Sequence, residues 1–256
     1  MVLIDVHCHI HETIFDNDRR EVVDRARKNG VKHIITSAIK PGGVDRALRV
    51  INEFKGYISL TIGHDPILVD DILFSKQVEY VRKYTNIIVG VGEVGLDYYF
   101  IRDHEKRSKQ RKFFVEWISI AEELNLPLIV HSRSAGKYAI KEILKYKYFN
   151  VVMHAYDGSV GWAMEAAKHG IYFSIPPSVT FSVQKQKLVK KLPLESLLLE
   201  TDSPVLSPFK GQRNEPVNII YSAMKIAEIK NISLDKVIEV TTDNALNVFK
   251  RLKLKI

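Results

Sequence analysis

Eight short β-branched runs, helical stretches between them, and imidazoles or carboxylates recurring at the run ends predict an α/β protein. The runs begin near Leu3, His33, Ile58, Ile87, Leu128, Val151, Ile171 and Leu197. Their starts lie 20 to 41 residues apart, about the length of one strand-plus-helix unit. No linker-like segment breaks the alternation, so we expect a single domain with a parallel sheet. The polar run ends decide between an open sheet and a closed barrel. Glu93, His131, His154 and Asp202 close four of the later runs, and His7 and His9 end the first. In a (β/α)8 TIM barrel all those ends share one rim, whereas an open sheet would hold His7 far from Asp202. The 256 residues match the usual size of that barrel.

The elements can be justified in order. Ile4-Asp5-Val6-His7-Cys8-His9-Ile10 alternates strictly, which predicts Asp5, His7 and His9 on one face and Ile4, Val6, Cys8 and Ile10 on the other. Helices are expected over Arg19 to Asn29, ending at Gly30, and over Val44 to Phe54, ending before Gly56. Glu105 to Leu124 places Phe113, Phe114, Trp117, Ile120, Ala121 and Leu124 on one face. Glu165 to His169 stops at Gly170, a typical C-terminal glycine. Val217 to Ile229 and Leu234 to Leu252 supply extra C-terminal helices.

Composition narrows the function classes. Lysine and arginine total 38 against 30 acidic residues, a net charge of +8. The positive charge gathers in Arg102 to Lys112, Lys185 to Lys191 and the tail Lys250 to Lys255. Such clusters can be solvated helix faces or can favour polyanions, nucleic acid first. A single cysteine, Cys8, excludes an internal disulfide framework and suits a reducing compartment. No apolar stretch approaches the ~18 residues of a membrane span, and the start lacks a signal peptide's basic and apolar regions. The expectation is a cytoplasmic protein with no membrane partner and no obligate protein partner.

The chemistry rests on six side chains. His7-x-His9 on a strand puts two imidazoles on one face, close enough to hold one cation. With Glu93, His131, His154 and Asp202 the set is too large for one divalent ion with an open position. It suits two ions about 3.5–4 Å apart, bridged by a carboxylate. Glu93 is the natural bridge: His7, His9, Glu93 and Asp202 would take one ion, and Glu93, His131 and His154 the other. Ligands of these types fit Zn2+, Mn2+, Mg2+ or Co2+.

These segments resemble the TatD family of metal-dependent deoxyribonucleases, within the amidohydrolase-like TIM barrels. The matching stretches are Asp5-Val-His-Cys-His9, Gly92-Glu-Val-Gly-Leu-Asp-Tyr98, Leu126-Pro-Leu-Ile-Val-His-Ser-Arg133, His154-Ala-Tyr-Asp-Gly158, Leu199-Glu-Thr-Asp-Ser-Pro-Val-Leu206 and Arg213-Asn-Glu-Pro216. Ile226-Ala-Glu-Ile229 and Thr242-Asp-Asn-Ala-Leu-Asn-Val-Phe249 are similar to the family's last helices. The resemblance implies a dinuclear hydrolase of DNA with 3′-to-5′ exonuclease behaviour, and it implies the same six ligands. Two departures stand out. The family's Gly-x-His-Pro reads Gly63-His64-Asp65-Pro66 here, which puts Asp65 in the usual histidine place and His64 one residue early. His11 stands where relatives commonly have aspartate.

The expected reaction is phosphodiester hydrolysis of DNA or RNA. Glu93 and Asp202 are the catalytic candidates, with Asp202 orienting water and accepting its proton. Arg133 is placed to hold a phosphate oxygen, and Asp97, His64 and Arg213 are further substrate-contact candidates. Glu215 shares the Arg213 loop. Tyr98, Tyr99 and Phe100 could stack nucleobases or simply pack. Glu200 could orient a ligand imidazole. His33, His104 and His169 read as structural or solvated, and Cys8 as a core residue. Two rivals share this barrel: a small-molecule amidohydrolase or lactonase, and a catalytically silent nucleic-acid-binding protein.

Overall fold

A computed structural model describes residues 2–252. Its strands are β1 (Leu3–Cys8), β2 (Val31–Ala38), β3 (Ile58–Ile62), β4 (Gly90–Gly95), β5 (Leu128–His131), β6 (Val151–Met153), β7 (Tyr172–Ile175) and β8 (Leu197–Leu199). They pair in parallel in the order of the sequence. Helices α1 (Arg19–Lys28), α2 (Pro41–Glu53), α3 (Asp71–Lys83), α4 (His104–Leu124), α5 (Gly136–Tyr146), α6 (Val160–Ala167), α7 (Val183–Lys191) and α8 (Ile219–Lys230) follow the strands, and α9 (Leu234–Val248) is additional. This is the expected (β/α)8 barrel.

The seam between β8 and β1 is closed by atoms that the strand ladder does not supply. Asp5 Oδ1 accepts the Thr201 N–H at 2.9 Å, and the Thr201 hydroxyl donates to Oδ2. Burial pushes the Asp5 carboxyl well above its usual range, against those bonds. Beyond the strands, Asp202 N–H donates to the His7 carbonyl at 2.9 Å and His9 N–H to the Ser203 carbonyl at 2.7 Å. The first and last strands thereby present their ends side by side.

Two apolar layers follow from the strand pattern. Ile4 and Val6 of β1 pack with Ile35, Val89, Ile129, Val152 and Leu198 inside the barrel. Ala245, Val248 and Phe249 at the end of α9 join the same cluster and close its lower end. The second layer, between strands and helices, holds Leu3, Cys8, Ile34, Trp117 and Ile143 among others. Burying each Val, Leu, Ile or Phe side chain among them contributes about 1.5–3 kcal/mol.

The strict alternation expected along the first strand fails. Cys8 and Ile10 belong to the outer layer while Ile4 and Val6 lie inside. The pairing of β1 with β2 slips between Asp5 and Cys8, and an irregularity there changes which face a side chain takes. A regular strand with Val6 inside would turn His7 toward the helices. Instead His7 and His9 meet edge-on, ring centroids 5.1 Å apart.

Other elements shift for local reasons. β4 starts at Gly90, and Ile87 is half-exposed in the preceding turn. The sixth helix begins at Val160, five residues before the expected Glu165. Helix α9 ends at Val248, short of Leu252. Helices α3, α5 and α7 lie outside the stretches that the sequence marks as helical; Asp70 and Ser182 cap α3 and α7 through bonds from the N–H groups of Leu73 and Lys185. The end of the basic tail, residues 253–255, lies outside the described residues. Among the described residues no helix is long and apolar enough to cross a membrane.

Candidate metal centre

The ends of β1, β4, β5, β6 and β8 converge on Glu93. Its two oxygens divide the imidazoles. Oε1 lies 2.7 Å from His131 Nδ1 and 3.5 Å from His154 Nε2. Oε2 lies 3.2 Å from His7 Nε2 and 3.5 Å from His9 Nε2. Asp202 Oδ1 completes the His7–His9 side, 3.6 and 3.5 Å from the same two nitrogens. Strand packing at the rim is tight enough that a side chain at Gly63 would strike the Glu93 carbonyl, and one at Gly95 the His131 carbonyl.

Each ring is held by its other nitrogen where a partner is resolved. His9 Nδ1 lies 2.9 Å from the Ser37 carbonyl, His131 Nε2 3.0 Å from Asp97 Oδ2, and His154 Nδ1 3.3 Å from Glu200 Oε2. Such outer partners fix the tautomer and aim the free nitrogen. Ser37 also ties the two sides together, its hydroxyl accepting the Glu93 N–H at 2.7 Å. Glu200 is fully buried and accepts from Ser174 and from the Ala155 N–H.

The donor set fits divalent cations. His7 Nε2 is buried without a hydrogen bond of acceptable geometry, although two carboxylates lie close by. Most of the separations, 3.2–3.6 Å, match the edge of a coordination shell with bonds of about 2.1 Å. Three overlapping trios have ligand atoms within 4.8 Å of one another: His7–His9–Glu93, His7–His154–Asp202 and Glu93–His131–His154.

Electrostatics agree. Burial alone would raise the Glu93 carboxyl, but His154, His131 and His7 carry it well below its usual range. Burial likewise opposes ionisation of Asp202, and His154, His9 and His7 overcome it. Burial works against protonating His9 and His131, yet their carboxylate partners raise them to about 10 and about 9. Burial and the neighbouring His154 lower His7.

A cavity of about 700 Å3 opens above the cluster. Arg133 and Asp97 line it. The Arg133 guanidinium stacks over Tyr99 at 4.0 Å and Phe100 at 5.0 Å. Asp97 is committed to the protein: Oδ2 meets His131, and Oδ1 accepts the N–H groups of Tyr99 and Phe100.

Two expected substrate contacts lie elsewhere. His64 does not line the cavity; its Nε2 meets the Leu68 carbonyl at 2.6 Å and its ring packs edge-on against Phe74 and Phe113. Asp65 lines the cavity in its place. Arg213 grips Asp18 with both Nη atoms, donates to the Ile14 carbonyl and lies over the Phe15 ring. Glu215 pairs with Arg25 and Arg213. This loop clasps α1 and does not reach the cavity. His11 is buried against the Thr36 hydroxyl, and burial lowers it to about 3. Lys185, overlooked within a run of lysines, contributes to the cavity wall.

Over residues 4–250 the chain matches the family described as TatD related DNase. It belongs to that family. TatD relatives include human deoxyribonuclease TATDN3, 39% identical over 264 residues that cover 98% of this chain and 96% of the relative. An uncharacterized metal-dependent hydrolase of Methanocaldococcus jannaschii is 39% identical over 250 residues, 97% of each chain. Among solved structures, the TatD homolog YJJV of Escherichia coli K12 superposes with a TM-score of 0.88 at 25% identity, covering 97% of this chain and 98% of the other.

Proposed function

We propose that this TatD-family protein is a metal-dependent deoxyribonuclease that removes nucleotides from a strand end, 3′ to 5′. The observation that carries the reading is the convergence of six ligand-type side chains around one bridging carboxylate, with Glu93 facing two imidazoles through each oxygen. Two divalent ions (Zn2+, Mn2+, Mg2+ or Co2+) would be held, one by His7, His9, Glu93 and Asp202, the other by Glu93, His131 and His154. When bound, such ions acidify water and offset phosphate charge.

The chain's own groups do the rest. Asp202 turns Oδ1 toward His7 and His9, which leaves Oδ2 to orient the attacking water and take its proton. Arg133, held flat against Tyr99 and Phe100, offers its free N–H edge to a phosphate oxygen. Phe100 is 58% exposed at the cavity, a face on which a terminal base can stack. A cavity of about 700 Å3 is in the small-ligand range, which suits a strand end better than a passing duplex. The lone, buried Cys8 fits a cytoplasmic setting.

The test uses end-labelled single-stranded DNA, the matching RNA, and a panel of esters and amides, with each metal and then with chelator. Metal-dependent shortening of DNA from its 3′ end is expected. Turnover of an ester or amide with intact DNA would instead make this a small-molecule hydrolase. DNA binding with no hydrolysis of any substrate would make it a silent binder.

A further inference from the structure

Lys185 belongs to a lysine-rich stretch of α7 that looks solvated in sequence, yet it is only 8% exposed. Its Nζ donates to the Ala155 carbonyl at 2.8 Å, and the side chain lines the cavity beside His154, Asp157 and Asp202. Ala155 follows His154 directly and sits at φ 41°, a left-handed conformation unusual for a residue with a side chain. Glu200 accepts its N–H at 2.8 Å. Both polar groups of that peptide turn are therefore held by buried, charged side chains.

A neutral donor would satisfy one carbonyl equally well, so the charge requires another explanation. Burying an ammonium costs several kcal/mol unless anions compensate. Burial does depress Lys185, with Glu200, Asp157 and Asp202 opposing the shift from a distance. Among the described residues the ammonium forms no ion pair, and Ala155 uses one of its three N–H donors. The other two are available to an occupant of the cavity. An anion would pair with them as no group of the protein does.

We propose that Lys185 is a substrate-binding residue that holds a non-bridging phosphate oxygen from the β7 side of the rim, while Arg133 reaches it from the β5 side. The identity of the anion rests on the nuclease reading above. A phosphodiester then meets one compact, strongly hydrated charge and one planar guanidinium.

The experiment compares wild type, Lys185→Met and Lys185→Arg. Binding of a fluorescent single-stranded DNA oligonucleotide is followed by anisotropy in chelator over a salt series, and kcat and KM are measured with metal. For Lys185→Met we expect a Kd and KM raised about tenfold or more, a log Kd–log salt slope smaller by about 0.7, and unchanged metal content. Lys185→Arg should retain the wild-type slope. Should Lys185→Met fold poorly, Lys185→Gln keeps a donor for the Ala155 carbonyl and carries the same comparison. A wild-type slope and KM in the neutral variants would overturn the assignment, as would a loss confined to melting temperature or metal content. If wild type neither binds nor cleaves DNA, the nuclease reading falls first; if it does both and the neutral variants match it, only the role of Lys185 falls.

Discussion

Asp202 donates its main-chain N–H to the carbonyl of His7 at 2.9 Å, so an acidic residue near the end of the chain is fixed beside an imidazole near its start. The bond also secures Asp202 at φ 53°, a left-handed conformation that surrounding structure must enforce. One side of the candidate metal centre forms only when the barrel's seam is shut.

Glu93→Ala and Asp202→Ala are expected to abolish DNA hydrolysis while leaving the circular dichroism of the barrel intact. Loss of an outer partner of a metal ligand costs about 10–100-fold, and removing a direct ligand should exceed that. Wild-type rates in either variant, measured with saturating metal, would reject the six-ligand site.

Asp97→Ala addresses the orientation of His131. The carboxylate lies 3.0 Å from His131 Nε2 and accepts two N–H groups of the loop that carries Tyr99 and Phe100. We expect metal affinity to fall about 10–100-fold, read by titrating metal-free protein in a calorimeter. Unchanged affinity would show that the ring needs no such support.

Acid stability should depend on His33, whose Nε2 bonds the Ser59 hydroxyl while its buried Nδ1 lacks a partner. Burial lowers this histidine from 6.5 to about 4. Between those values the unfolded chain binds the proton and the folded one does not, so stability falls as pH falls. The contribution is complete above about pH 6.5 and lost progressively toward pH 4, about 3 kcal/mol in all. Urea unfolding of His33→Gln should show a shallower acid decline than wild type; parallel curves would contradict this.

Arg213→Ala should destabilise without impairing catalysis. Its guanidinium joins Asp18, the Ile14 carbonyl, Glu215 and the Phe15 ring, well away from the cavity lining. A loss of about 1–3 kcal/mol is expected, with kcat/KM for DNA near wild type. A large rise in KM at unchanged stability would return Arg213 to the substrate.

Much of this was legible in the sequence because ligands and strands share a grammar. An imidazole or carboxylate closing a β-branched run announces a rim position: His131 ends β5, His154 follows β6 directly and Asp202 lies just past β8, while Glu93 sits within β4, two residues before its end. Side-chain direction in loops was less readable. His64 and Asp65 are adjacent, and the turn after β3 alone decides which one faces the cavity. Lys185 looked like its neighbours because burial of one lysine among several is set by how α7 packs, not by its periodicity. The phase change within β1 came from a pairing irregularity invisible to alternation.

The stopper at the barrel's lower end carries a consequence for biosynthesis. Ile4 and Val6 leave the ribosome more than 200 residues before Val248 and Phe249, which cover them from beneath. Until then the nascent polypeptide exposes a greasy hollow, and chaperones have reason to attend it. Premature termination shortly before Ala245 would spare every proposed ligand and still yield a molecule with its floor missing.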